Sequence, residues 1–233
     1  TYDAFMSACA APDPIIGTGT SEFVVMQGDL GSGKTHHLKF AVNELRAQGH
    51  IVSYLPSASR INQPGWQFMA QALIFQISRD RLIEGFTPLR NHILATAARQ
   101  AEDEVGNSNL DNLQRVRDIK QKELYSKILS DAPGFVQFVM DFTDPNNTSK
   151  RDDCWSYLSS NLAKAAAAKI ATPYGDIPAE GMATPNGASR IMQHVIRLLT
   201  YRTDETESGT NVFYIFIDEM ENLTEFTVSV QRD

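Results

Sequence analysis

The run Gly28-Asp29-Leu30-Gly31-Ser32-Gly33-Lys34-Thr35 carries the densest chemistry in the chain. Its glycines allow consecutive backbone N–H groups to turn toward one point, and a helix opening at Lys34 aims its positive dipole end at the same place. That cradle suits phosphate. In the spacing G-x-x-x-x-G-K-[ST], Lys34 reaches the β- and γ-phosphates of a nucleoside triphosphate and the Thr35 hydroxyl ligates Mg²⁺. A chance match in a chain of this length is on the order of one in a hundred. His36 is expected to line the site through its backbone N–H. His37 points elsewhere on the helix and reads as filler.

A second constellation lies near the other end, where Val212-Phe213-Tyr214-Ile215-Phe216-Ile217 runs into Asp218-Glu219. An apolar run without alternation fits a strand covered on both faces. Carboxylates at its carboxyl end sit where open α/β sheets bind ligands. The run resembles a Walker B motif. By that resemblance Asp218 holds Mg²⁺, directly or through water, and Glu219 orients or deprotonates the water that attacks the γ-phosphate.

These groups need elements to place them. Phe23-Val24-Val25-Met26 reads as a strand before the loop. Leu38, Ala41, Val42 and Leu45 recur at helical spacing after it, and Gly49 ends that helix. Ile51 to Leu55 reads as a further strand, closed by Pro56. From there the chain is mostly helical. Apolar stripes run through Trp66 to Ile77, Leu89 to Ala97 and Phe135 to Phe142, the last with Pro133 and Gly134 at its start, and Leu110 to Leu129 reads as a charged helix with a less regular stripe. Trp155, Leu158, Leu162 and Ala165 continue into an alanine-rich helix ending near Ala171. Thr172 to Gly187 is rich in Pro and Gly and reads as a loop. Ile191, Val195, Leu198 and Leu199 form the last helical stripe. A short helix is also expected over Tyr2 to Cys9.

Composition narrows the class. The chain has 233 residues and a net charge of −7, so it is not a basic nucleic-acid glove. No apolar run approaches the roughly 18 residues of a membrane span, and no membrane association is expected. Two cysteines in 233 residues give neither metal-ligand spacing nor a disulfide framework, so a cytoplasmic location is expected. Arg115 to Lys122 mixes both charge signs and reads first as a solvated face.

With both motifs in view, the chain resembles P-loop NTPases that carry a Glu beside the Walker B Asp. It is most similar to AAA+ ATPases of the origin-recognition type and related large prokaryotic ATP-binding proteins. The residues that carry this are Gly28 to His36 and Phe216-Ile217-Asp218-Glu219-Met220-Glu221-Asn222-Leu223. The resemblance implies an α/β fold: a three-layer α/β/α arrangement on a mostly parallel sheet. It also implies ATP and Mg²⁺ as cofactors, ATP hydrolysis as the activity, Lys34 and Glu219 as catalytic residues, and self-association through the ATPase module.

Lys34 and Asp218 lie farther apart than in a compact module of that family. Residues 57–187 are therefore expected to be a helical insertion between the core segments 1–56 and 188–233. The insertion, or domains beyond this chain, is the expected site of a protein or DNA partner. The family's central strand with its sensor residue, its arginine finger and its small helical lid have no counterpart before Asp233. The expectation is an incomplete module, the front part of a longer ATPase. Two other functional readings stay open: a nucleotide-gated signalling or scaffold protein, and the front half of a helicase. The absence of N-K-x-D disfavours a GTPase, and the absence of an L-S-G-G-Q-like run disfavours an ABC-type ATPase.

Overall fold

The computed structural model describes residues 31–56, 66–106, 110–160, 162–201 and 213–218. Helix α1 spans Lys34–Ala47 and buries Ala41, Val42 and Leu45, the stripe its sequence spacing requires. Gly49 closes it in the left-handed region at φ 86°, donating its N–H to the Arg46 carbonyl at 3.1 Å. This tight closure turns the chain back along α1 as strand β1, Ile51–Leu55.

Strand β2, Phe213–Ile217, pairs with β1 in parallel, with Ile51 opposite Phe213 and Leu55 opposite Ile217. Strand alternation sorts the side chains. Val52 and Phe216, flanked by Tyr54 and Tyr214, pack on Ala41, Val42 and Leu45 of α1. Ile51, Leu55, Phe213 and Ile217 join the larger core on the opposite face. Ser53 also lies on that face, fully buried. Its hydroxyl donates to the Leu73 carbonyl at 2.8 Å, which offsets the cost of burying it.

The larger core is made by helices. These are α2 (Trp66–Ile77), α3 (Arg79–Val105), α4 (Leu110–Ile128), α5 (Pro133–Thr143), α6 (Thr148–Ser159), α7 (Lys164–Ala171) and α8 (Pro185–Leu199). Helix α5 is central: Phe135, Phe138 and Phe142 are all fully buried. The Phe142 ring meets Phe86 of α3 edge-on at 6.4 Å, and the Phe138 ring lies 5.4 Å from Tyr157 of α6. Helix α3 approaches β1 and α8 closely at Gly85, where a Cβ would overlap the Ile51 Cδ1 position and lie 2.9 Å from Leu199 Cδ2. Helices α3 and α4 form a hairpin, tied by Arg117 to Glu102 and Lys120 to Glu104, each at 2.9 Å.

The three-layer α/β/α expectation is not what forms. Helix accounts for 76% of the described residues, and their sheet has two strands. The physical reason lies in the described residues between 66 and 187. Their aromatic and aliphatic stripes are buried on one another, in a core that also takes one face of β1 and β2. Among the described residues, helix-on-helix packing rather than a wide sheet organises the fold. The strand carrying Asp218 is also not covered throughout, because Ile215 is 40% exposed. The expected continuous helix through Trp155 and Ala165 is instead two, since Ser160 turns extended at ψ 150°. Strand 23–26 and the early helix fall outside the described residues. Among the described residues no helix is long and apolar enough to cross a membrane.

Candidate functional site

Of the residues expected to bind phosphate, Gly31, Ser32, Gly33, Lys34, Thr35 and His36 are described; Gly28, Asp29 and Leu30 lie outside the described residues. Gly31 and Gly33 both adopt left-handed backbone, at φ 79° and 86°. A residue with a Cβ would be strained there by roughly 1–2 kcal/mol. Gly33 is the N-cap of α1 and Lys34 its first residue. No side chain caps the helix among the described residues, and its first turn holds no acid. Its leading N–H groups and dipole are thus oriented as an anion site requires. Thr35 and His36 are exposed and Lys34 is half-buried.

His37 has a role that its sequence context did not reveal. Its backbone N–H and its ring Nδ1 both reach the Gly33 carbonyl, at 3.0 and 2.9 Å. A carbonyl only accepts, so Nδ1 carries the proton. The ring fastens the left-handed glycine to the first turn of α1. The signal was present in the i, i+4 spacing from Gly33 to His37, but side-chain bonds to a carbonyl at a helix start leave no distinctive pattern.

Asp218 directly follows β2 and is 6% exposed. Its N–H donates to the Leu55 carbonyl at 2.9 Å, which continues the β1–β2 ladder by one rung. The Tyr54 hydroxyl donates to Asp218 Oδ2 at 3.3 Å. By alternation both side chains lie on the face that α1 covers. Helix α1 leads through the Gly49 turn into β1 and packs on the same face through Ala41, Val42 and Leu45. Lys34 opens that helix and Asp218 directly follows β2. Glu219 lies outside the described residues.

The donor set fits Mg²⁺ bound with a triphosphate. A hydroxyl and a carboxylate are hard oxygen ligands, and Mg²⁺ commonly takes one or two carboxylates with the remaining positions filled by phosphate and water. Among the described residues no three His, Cys, Asp or Glu side chains form a self-sufficient cage.

Other reactive groups lie elsewhere. Cys154 is 1% exposed, and burial pushes its thiol up to about 12, so it is not a nucleophile at neutral pH. Arg117 and Lys120 of the charged helix are engaged by acids of α3. Comparison with protein families, curated proteins and solved structures finds no match to this chain.

Proposed function

We propose that this chain binds Mg²⁺-ATP at the start of α1 and takes part in its hydrolysis within a larger ATPase. The observation that supports binding is the left-handed Gly33 that opens α1 at Lys34, with no side-chain cap and no acid in the first turn; the buried Asp218 after β2 is the carboxylate assigned to the cation. Backbone N–H groups of the loop and first turn take the phosphate oxygens, and the Lys34 ammonium neutralises the β- and γ-phosphates. Thr35 and Asp218 hold the cation, which when bound offsets charge on those oxygens. Hydrolysis rests on Glu219, adjacent in sequence to Asp218, as the group that orients water and accepts its proton. Lys34 acts through charge, where a fixed cation gains most as negative charge builds on the γ-phosphate.

The test is phosphate release by the full chain. Glu219→Gln should keep ATP binding and lose turnover by at least a hundredfold. Unchanged turnover would remove Glu219 from the mechanism. Binding without turnover in the unaltered chain would favour ATP as a conformational ligand instead.

A further inference from the structure

Tyr54 touches the candidate cation ligand, and no sequence motif points to it. It sits on β1, one residue before Leu55, whose carbonyl takes the Asp218 N–H. Two bonds from neighbouring residues of β1 therefore hold one aspartate, one at its backbone and one at Oδ2. A carboxylate at a strand end can rotate about χ1 and χ2, and the ladder bond alone does not restrain its oxygens. The phenol does. The Tyr54 ring is itself fixed, because it packs with Val52, Tyr214 and Phe216 against α1. Rigid packing behind the hydroxyl is what makes such a bond directional, and partners of this kind set how well a carboxylate accepts a cation.

We propose that Tyr54 is the positioning residue for Asp218 and that it tunes the site's affinity for the divalent cation rather than for the nucleotide. This rests on the Mg²⁺-ATP reading above. The bond ends on the carboxylate assigned to the cation, so its loss should act first on the cation. Removing a hydrogen-bond partner of a metal ligand typically costs about 10- to 100-fold in metal affinity. Tyr54 lies at the lower end, since 3.3 Å is a long bond for a hydroxyl donor.

The experiment uses the full chain with Mn²⁺ as the probe, its affinity read by electron paramagnetic resonance in the presence of ATP. ATP affinity is read separately in excess chelator. Tyr54→Phe keeps the ring and deletes the hydroxyl; Tyr54→Met fills the space with no donor. Both should weaken Mn²⁺ binding about tenfold and leave metal-free ATP affinity within about twofold. Placing Tyr54→Phe in an Asp218→Ala background should add no further loss of Mn²⁺-ATP affinity, because the two act through one carboxylate. Parallel loss of both affinities would mean a packing role and overturn the proposal. So would unchanged Mn²⁺ affinity in Tyr54→Phe when Asp218→Ala loses it, and in that case the Mg²⁺-ATP site would stand. If Asp218→Ala also binds Mn²⁺ normally, the assignment of the cation site itself is wrong.

Discussion

The imidazole of His37 donates from Nδ1 to the carbonyl of Gly33 at 2.9 Å, so a side chain one turn into α1 holds the residue that caps it. Gly33 needs such a hold. Its left-handed backbone is the step that swings the loop into the helix, and a glycine is the residue most free to leave that conformation.

His37→Ala should therefore weaken ATP binding without removing it. A hydrogen bond of this kind is worth about 0.5–1.5 kcal/mol net, which corresponds to a loss of roughly two- to tenfold in affinity. Isothermal titration of the variant checks this. Unaltered affinity would mean that Gly33 is held by the helix alone.

Two glycines make contrasting predictions for stability. At Gly85 an added Cβ meets the ends of Ile51 and Leu199, side chains that can shift. Alanine also gains about 1 kcal/mol over glycine inside a helix, so Gly85→Ala should fall within about 1 kcal/mol of the parent. At Gly134 the added Cβ would overlap the Tyr174 carbonyl, which is backbone, and sit 2.5 Å from Asp176 Oδ1. It would also disturb the 2.8 Å bond from the Gly134 N–H to Asp176 Oδ2. Gly134→Ala should cost about 2–4 kcal/mol. Urea denaturation of the two variants tests the order; equal costs would contradict it.

His194 makes stability depend on pH. It is 3% exposed, its ring lies 5.2 Å from that of Phe135, and neither nitrogen has a hydrogen-bond partner among the described residues. Burial lowers its pKa from the usual value, against a smaller opposing pull from Asp131; Arg197 and Arg190 lower it further and Asp176 raises it. Between the lowered value and the ordinary one of about 6.5, the unfolded chain binds more protons than the folded chain. Stability is then complete above about pH 6.5 and declines as pH falls below it. His50 is shifted the same way by burial. Asp131, held low by Arg197, loses its contribution only below about pH 4, in a separate window. His194→Leu should flatten the fall in urea midpoint between about pH 7 and pH 5. A residual slope is expected from His50; an undiminished slope would show that His194 is not its source.

Local order was legible where one residue type decides it. The stripe Ala41, Val42 and Leu45 with Gly49 behind it specified α1. Pro56 marked the end of β1, and Pro133 marked the start of α5. Helix α3 was only half visible: it runs from Arg79 through Pro88 to Val105, and the proline masks its continuity in the sequence. The layer arrangement was not legible at all. Stripes such as Phe135, Phe138 and Phe142 show that a helix has an apolar face but not whether a sheet or another helix covers it. At the site, glycine spacing located the loop and an apolar strand located Asp218. The Tyr54 and His37 contacts depend on strand register and on a rotamer, which spacing does not encode.

The most direct test is ATP binding by the full chain in Mg²⁺, read as thermal stabilisation in the unaltered protein and in Lys34→Ala. At a ligand concentration one hundred times the dissociation constant, binding should stabilise the fold by about 2.7 kcal/mol. Binding at the start of α1 predicts a clear rise in melting temperature with ATP that Lys34→Ala abolishes. No rise in the unaltered chain, or an equal rise in the variant, would contradict it.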